Sequence, residues 1–243
     1  MNRFFVEGAD WQEGVALRGD EAHHCVRVMR KQAGDEVVVF DGHGSEGVAV
    51  IREASKSEVI LALKSSRETP RPLPEIEIAV GVPKGKSFEL ILQKAVEMGV
   101  SRVCPLMSAQ GNVRFDEREG RAKQAKWQRL VVEACKQCGQ NHLPEVALPL
   151  SVEDYLAGLG GSEAGRFVGA LLPEVRPFRE SLGALDNPKQ ITLMIGPEGD
   201  FSEAEYQAIL GAGFAGVGLG DLILRTETAV FWMVAAVRYQ FQR

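Results

Sequence analysis

The sequence lacks a hydrophobic run long enough to span a membrane. Its longest uninterrupted apolar segment is the nine residues from Ala229 to Val237, whereas a transmembrane helix needs ~18 or more. The N-terminal segment MNRFFVEGADW reaches acidic residues before a hydrophobic stretch of signal-peptide length can develop. These absences argue against a membrane protein and against export by a signal peptide, so we expect a cytoplasmic protein.

Cysteine is scarce as well. Four cysteines, Cys25, Cys104, Cys135 and Cys138, are too few in 243 residues for a disulfide framework and indicate free thiols in a reducing compartment. Cys135, Cys138 and His142 follow at spacings of three and four, which would place them near one face of a helix. A structural zinc site needs four ligands and no fourth is apparent, so we predict no metal site.

The sequence also has no excess of positive charge. A net charge of -5 argues against a protein that coats nucleic acid through a large positive field. The stretch from Gly111 to Leu130 departs from this balance, because it holds six basic and three acidic residues. Its basic residues are Arg114, Arg118, Arg121, Lys123, Lys126 and Arg129. A solvated helix face is the ordinary interpretation, and a nucleic-acid contact is the functional one.

What the sequence does contain divides into two parts. Residues 1–66 hold short β-branched runs broken by Gly, Asp and Ser, a pattern typical of a small β-barrel or sandwich. The segment RETPRPLP, residues 67–74, carries three prolines and predicts a domain boundary. We therefore expect one domain over 1–70 and a second over 75–243.

The second part alternates apolar runs with amphipathic segments. The runs IEIAVGV, RVCPLM, RFVGALL, ITLMIG and GVGLG precede helix-like segments that start near Lys86, Arg121, Val152, Glu203 and Thr226. This order predicts a parallel α/β sheet. Ligands in such sheets bind beyond the carboxyl ends of the strands, so the loops after these runs are the candidate sites.

The first such loop, GVPKGKS from Gly81 to Ser87, looks like a phosphate-binding loop. Only three residues separate its glycines where a Walker A loop needs four, so nucleotide hydrolysis is disfavoured. Lys84 and Lys86 could still meet an RNA phosphate at a helix start. Exposed lysines without a role are the equally strong alternative.

The second loop is GPEGDFSEAE, from Gly196 to Glu205. Ser202 and Glu205 form a capping-box pattern, which predicts a helix start. A strand-to-helix turn explains everything in this loop except Glu198 and Asp200. Two carboxylates can bind ribose hydroxyls or an amino group and would repel phosphates, so the loop suits a nucleoside without phosphates.

The third loop, GLGDLILRTET from Gly218 to Thr228, leads into the last helix. Arg225 could hold a phosphate or a developing negative charge on a substrate oxygen, with Glu227 assisting. An N-cap with a surface ion pair is the structural alternative. Along the last helix, Val230, Phe231, Val234 and Val237 share one face, which indicates core packing or a subunit interface.

Together, the GPEGDFS and LGDLILRTETA loops resemble the RsmE family of 16S ribosomal RNA methyltransferases. The likeness extends to QKAVEMGV, EACKQCGQNHLPEV and, near the N-terminus, RFF, HHCVRVMR and FDGHG, so it covers nearly the whole chain. The resemblance implies a small PUA-like β-barrel followed by a SPOUT domain with a parallel sheet and a deep trefoil knot, a rare exception to un-knotted topology. It also implies a homodimer.

The resemblance further implies S-adenosyl-L-methionine as cofactor and methylation of uracil N3 in 16S rRNA or the small ribosomal subunit. The implied cofactor-binding residues are Leu171, Leu172, Pro173, Ile195, Gly196, Pro197, Glu198, Gly199, Leu219, Gly220, Ile223, Leu224, Arg225 and Thr226. The predicted RNA-binding residues are Arg3, Arg27, Arg30, Lys84, Lys86 and Arg114. A SPOUT enzyme acting on another RNA or position, and a non-catalytic RNA-binding module, are the alternatives.

The chemistry of uracil N3 assigns roles to three residues. N3 carries a proton and becomes a competent nucleophile only as that proton leaves. Glu198 and Glu227 are the candidate bases, and Arg225 is the candidate stabiliser of negative charge on a uracil oxygen. Because N3 lies on the pairing edge, the target base must be flipped out or single-stranded.

The sequence departs from the family pattern in three places. Asp200 replaces the usual second Gly of GPEGG, and Gln140 and His142 stand where arginines are common. The SAQGNV stretch near Ser108 lacks an expected arginine. These changes affect the RNA contacts more than the methyl-donor site.

Overall fold

The chain folds into two compact units. The computed structural model describes residues 2–6, 11, 15–160, 165–171 and 175–241. One unit comprises Met1–Arg71 and Val132–Leu143, and the other comprises Pro72–Val131 and Pro144–Arg243. The sequence placed the division between residues 70 and 75 but assigned all later residues to the second domain. The structure instead groups Val132–Leu143 with the first unit.

Long-range polar contacts explain that grouping. Lys136 Nζ donates to Glu21 Oε1 at 2.8 Å, and Asn141 Nδ2 donates to Thr69 Oγ1 at 2.7 Å. The Arg3 guanidinium also donates to the side-chain oxygen of Asn141. Partners separated by 72 to 138 positions cannot be recognised from a local sequence pattern.

The first unit is built on a five-stranded sheet in the order β1-β3-β4-β5-β2. Its elements are β1 (Arg3–Phe5), β2 (Val15–Arg18), α1 (Gly19–His23), β3 (Glu36–Phe40), β4 (Ser45–Ala54) and β5 (Glu58–Glu68), with one π-helical turn (His24–Val28) after α1. Alternation along β4 buries Gly47, Ala49 and Ile51, as expected for a strand with one face on the core. The predicted small β-barrel domain is therefore present as a curled half-barrel.

The second unit contains an eight-stranded sheet whose strand pairs are all parallel. Its strands are β6 (Glu75–Gly81), β7 (Arg102–Met107), β8 (Glu145–Val146), β9 (Leu150–Ser151), β10 (Gly165–Gly169), β11 (Arg176–Pro177), β12 (Gln190–Ile195) and β13 (Ala215–Gly218). The order is β11-β13-β10-β12-β6-β7-β8, with β9 also paired to β7. This architecture confirms the predicted parallel α/β sheet.

Helices cover both faces of this sheet. They are α2 (Ser87–Glu97), α3 (Glu117–Cys138), α4 (Val152–Ala157), α5 (Phe178–Gly183), α6 (Glu203–Gly211) and α7 (Thr226–Phe241). Tyr155 of α4 and Ile209 of α6 join one buried cluster with Ala79 and Met194 of the sheet. Helix α7 packs against α2, α5 and strands β6 and β12 on the other side.

Local sequence signals set the helix starts. Ser202 and Glu205 form both hydrogen bonds of a capping box, which confirms that prediction for α6. Val230, Val234 and Val237 are fully buried, which confirms core packing for these three residues of α7, whereas Phe231 is half-buried. The sequence missed α5, which begins after Pro177 without a side-chain cap, whereas the equally short α4 begins at the capping residue Ser151. Among the described residues, no helix combines the length and hydropathy that a membrane span requires.

Candidate functional site

Three loops meet at one edge of the parallel sheet. Strands β13, β10 and β12 are parallel neighbours, so their carboxyl ends lie together. The loops that follow them enclose a cavity of about 450 Å³, in the position where parallel α/β sheets bind ligands. Its lining residues are Gly169, Ala170, Leu171, Val175, Ile195, Gly196, Pro197, Glu198, Asp200, Gly218, Leu219, Gly220, Leu222, Ile223, Leu224, Arg225, Thr226 and Ala229.

Most of the predicted cofactor-binding residues contribute to this lining. Leu172 and Pro173 lie outside the described residues. Gly199 is not part of the lining and instead lies against the backbone of Gln110. The sequence did not single out the lining residues Gly169, Ala170, Val175 and Ala229, because no motif distinguishes them from other small or apolar residues. The cofactor role of the whole set stays a prediction.

The loop after β12 depends on a close approach of two backbones. A Cβ at Gly81, the last residue of β6, would lie 2.4 Å from Pro197 Cδ and 2.5 Å from Pro197 N. Only glycine leaves room for this contact. Next to it, a Cβ at Gly196 would lie 2.6 Å from Asp200 Oδ1. The glycines of the predicted motif therefore allow the loop to fold tightly over the end of β6.

Asp200 occupies a position that favours glycine. Its φ is 60°, in the left-handed region that non-glycine residues adopt at a cost. The backbone amide of Asp200 donates to Pro197 O at 2.9 Å and closes the turn. Its carboxylate accepts from the Tyr206 hydroxyl at 2.9 and 3.0 Å and from the Phe201 amide at 2.8 Å. Burial, followed by the nearby Asp200 charge, raises the pKa of Tyr206, so this hydroxyl stays protonated and can donate.

Glu198 connects the cavity wall to the loop after β6. Its Oε1 accepts a hydrogen bond of 3.0 Å from the backbone amide of Lys84. The segment that resembled a phosphate-binding loop therefore binds a carboxylate of this protein through its backbone. Lys84 and Lys86 are exposed on the same segment.

The loop after β13 brings Arg225 and backbone donors to the cavity. Thr226 is buried, and its Oγ1 donates to Gly196 O at 3.0 Å, which ties the start of α7 to the loop after β12. Within the described chain, no hydrogen bond or ion pair engages the exposed Arg225 guanidinium, and none is donated by the backbone amides of residues 221–225. Glu227 is half-buried and does not line the cavity. The loop thus offers a cation and several amide donors.

The predicted RNA-binding arginines differ in how accessible they are. The Arg3 side chain is only 10% exposed, pairs with Glu46, and lies 4.3 Å from the Phe40 ring centroid. A guanidinium so enclosed has little surface to offer a phosphate. Arg114 is exposed, but its guanidinium donates to three carbonyls of its own loop at 2.8 to 3.0 Å. Arg27 and Arg30 are exposed on the first unit.

Cys135 and His142, two of the three residues with zinc-like spacing, lie in environments that do not suit a metal ion. Cys135 is buried, and burial raises the pKa of its thiol to about 12, with a further contribution from Cys138. A thiol that resists deprotonation is a poor metal ligand. His142 Nε2 lies 2.8 Å from the carbonyl oxygen of Thr69. Across the part of the chain that the structure describes, no cluster of three or more metal-ligating side chains is present.

Comparison with protein families matches both parts of the chain. Residues 69–238 match an RNA methyltransferase domain, and residues 17–64 match an RNA methyltransferase PUA domain. The first match covers more than half of the chain and contains the entire cavity.

Individual proteins give the same result. Ribosomal RNA small subunit methyltransferase E of Bacillus subtilis (strain 168) is 30% identical, over 99% of this chain and 97% of that protein. The crystal structure of the methyltransferase E from Neisseria gonorrhoeae bound to S-adenosyl methionine is 29% identical, with a TM-score of 0.86 over 98% of this chain and 97% of that one. A Legionella pneumophila structure in complex with the cofactor SAM is 28% identical, with a TM-score of 0.88 and coverages of 98% and 97%. This chain therefore belongs to the RNA methyltransferase family that includes ribosomal RNA small subunit methyltransferase E.

Proposed function

We propose that this protein transfers a methyl group from S-adenosylmethionine to N3 of a uridine in 16S ribosomal RNA. The main support for the proposal is the cavity at the carboxyl ends of β10, β12 and β13, whose lining includes both Glu198 and Arg225. Two structures of high similarity over nearly the whole chain were solved with this cofactor. We also propose a cytoplasmic location, because ribosomal RNA is the substrate.

The lining fits a nucleoside that carries no phosphates. The carboxylates of Glu198 and Asp200 would repel a phosphate but can accept hydrogen bonds from hydroxyl or amino groups. Leu171, Ile195 and Leu219 supply apolar contact, and the amides of residues 222–225 supply donors. These residues would hold S-adenosylmethionine, which when bound supplies an electrophilic methyl group. The predicted trefoil knot would bring the same loops together, and the Thr226–Gly196 hydrogen bond between two of them supports it.

Of the two candidate bases, we assign removal of the N3 proton to Glu198 in preference to Glu227. Glu198 lines the cavity, whereas Glu227 does not. The Lys84 amide binds one oxygen of Glu198, and no donor among the described residues engages the other oxygen, which can accept the proton from N3. Arg225, unpaired within the described chain, stabilises the negative charge that develops on a uracil oxygen as the proton leaves.

Two variants separate these roles. Glu198→Gln keeps the shape of the side chain and removes its basicity, so we expect kcat to fall and its pH dependence to change. Glu227→Gln is the matched control and should leave the pH profile of kcat unaltered. The reverse pattern would assign the base to Glu227. Because positioning supplies much of the rate, Glu198→Gln should retain measurable activity.

We also propose that the protein is a homodimer. Tyr239 on α7 is 93% exposed. Trp232 lies seven residues earlier, about two helical turns, so it shares a face of the helix with Tyr239, and it is also exposed. Leu222 and Ile223 beside the cavity are 78% and 80% exposed. Large exposed apolar side chains on one helix face are typical of a subunit contact. Sedimentation velocity of wild type and of Trp232→Glu should show a dimer and a monomer; a wild-type monomer would refute the proposal.

The direct test of the reaction uses purified protein. Wild type is incubated with S-adenosylmethionine and 16S rRNA, or small subunits, from cells that lack the gene, and the nucleosides are separated by mass spectrometry. We expect 3-methyluridine. A different methylated nucleoside would indicate a methyltransferase with another position or RNA as its target. Absence of any S-adenosylmethionine binding by calorimetry would favour a non-catalytic RNA-binding module.

A further inference from the structure

Three lysines surround one carboxylate on the second unit. Lys126 Nζ donates to Glu89 Oε1 at 2.6 Å, with side chains 61% and 31% exposed. This hydrogen bond lowers the pKa of Glu89, and the charges of Lys126, Lys86 and Lys123 lower it further. We call Lys86, Lys123 and Lys126 the lysine cluster. One carboxylate neutralises only one of these three charges, so the cluster carries an excess of positive charge.

Aromatic packing beneath the cluster fixes its geometry. The rings of Phe88 in α2 and Trp127 in α3 have centroids 4.5 Å apart, and both side chains are buried. Phe115, in the segment before α3, lies 5.9 Å from Trp127 in an edge-on arrangement. Lys123 Nζ lies 5.9 Å from the Phe115 ring centroid. Phe88, Phe115 and Trp127 therefore pack the segments that carry the lysines against one another.

A short segment connects the cluster to the cavity. Glu198 of the cavity lining accepts a hydrogen bond from the amide of Lys84. Lys84 and Lys86 are two positions apart, so their Cα atoms lie no more than about 7.6 Å from each other. The positive surface thus begins at the cavity wall and continues over the start of α2 to α3.

We propose that the lysine cluster binds the phosphate backbone of the RNA substrate, next to the nucleotide that enters the cavity. This inference rests on the proposed function, because it takes RNA as the substrate. Exposed lysines that outnumber their carboxylate partners position a nucleic acid through its phosphates without reading its sequence. The acidic balance of the whole chain makes such a local surface necessary, since the overall charge of -5 repels RNA.

Ordinary helix pairing predicts a different outcome for the same residues. If Lys126 and Glu89 served only to join α3 to α2, removing either partner would have the same small effect on stability and no specific effect on RNA. If the cluster binds phosphates, removing the lysines weakens RNA binding and removing Glu89 strengthens it. Only the phosphate-binding account therefore predicts that Glu89→Gln binds RNA more tightly.

The experiment measures affinity for 16S rRNA from cells lacking the gene, between 50 and 200 mM salt. The variants are Lys86→Gln/Lys123→Gln, which removes the two lysines of the cluster that form no ion pair within the described residues, and Glu89→Gln. Lys94→Gln is the matched control, because it makes the same change on α2 at a lysine paired with Glu97. Calorimetry with S-adenosylmethionine verifies that each variant is folded and retains its cavity.

Each lost phosphate contact should reduce the slope of log affinity against log salt by roughly 0.7 to 0.9. For the double lysine variant, the loss of affinity between 50 and 200 mM salt should then be about tenfold smaller than for wild type. Its KM for RNA should rise with kcat unchanged. Glu89→Gln should bind more tightly, and Lys94→Gln should match wild type.

Two results would overturn the inference while leaving the proposed function intact. In the first, wild type binds and methylates the RNA, and the double lysine variant shows the same slope of log affinity against log salt as wild type. The other is weaker RNA binding by Glu89→Gln. Failure of wild type to bind the RNA at any salt concentration would instead refute both the RNA target and the cluster's role.

Discussion

Replacing Gly81 with alanine tests the contact that shapes the cavity. The new Cβ would lie 2.4 Å from Pro197 Cδ and 2.5 Å from Pro197 N, whereas carbon atoms in favourable contact are ~3.5 to 4.0 Å apart. The overlap exceeds 1 Å, and one of the atoms is backbone. A rotamer change cannot relieve it, because neither an alanine methyl nor a proline ring has an alternative position, so the loop from Gly196 to Gly199 must move.

The cost should divide between stability and binding. Overpacking of this kind costs about 1 to 3 kcal/mol. If the loop stays in place, the free energy of unfolding falls by that amount. If the loop moves, Glu198 separates from the Lys84 amide and cofactor affinity falls, by roughly 5-fold to 150-fold for the same energy.

Urea denaturation and calorimetry with S-adenosylmethionine measure the two parts. Gly211→Ala is the matched control, because a Cβ at this last residue of α6 meets nothing within 4 Å. Alanine there should be neutral or stabilising by up to about 1 kcal/mol. Wild-type stability together with wild-type affinity in Gly81→Ala would refute the proposed close approach of β6 and the loop.

Three further substitutions test other parts of the structure. Thr226→Val removes the buried hydrogen bond to Gly196 and should cost about 1 kcal/mol in urea denaturation, whereas Thr226→Ser should retain most of the stability. Tyr206→Phe should lower the free energy of unfolding by about 1 kcal/mol, because it removes the hydrogen bond to Asp200. Adding Asp200→Gly should restore about that much, because glycine relieves the left-handed backbone strain at this position. A double variant no more stable than Tyr206→Phe would contradict the strain. Arg238→Met should lower stability by about 3 kcal/mol without changing cofactor affinity, because the guanidinium donates to three backbone carbonyls of residues that do not line the cavity.

Signals confined to a few neighbouring residues predicted their structures correctly. The capping box of Ser202 and Glu205 at the start of α6 is determined by residues within one helical turn. The strands β7 and β12 are buried on both faces, so each has a mostly apolar sequence, and β6 is apolar from Ile78 to Gly81. The glycines of GPEGD also marked a tight turn correctly.

Contacts between distant residues could not be predicted in the same way. Gly81 and Pro197 touch across more than a hundred positions, and neither residue type indicates its partner. Arg3 was assigned to RNA from its charge, yet Glu46 and Asn141 enclose it in the first unit. Asp200 was recognised as unusual for the family, but its hydrogen bond to Tyr206 depends on the fold of the loop. Charge and composition identify candidate groups, and only tertiary structure decides which of them remain available.

The most direct test of the central claim compares the nucleosides of 16S rRNA in cells with and without the gene. We predict that 3-methyluridine disappears on deletion and returns with the intact gene, but not with Arg225→Ala expressed as folded protein at the same level. Persistence of 3-methyluridine in the deletion strain would contradict the proposed reaction. Full restoration by Arg225→Ala would contradict the role assigned to the cavity.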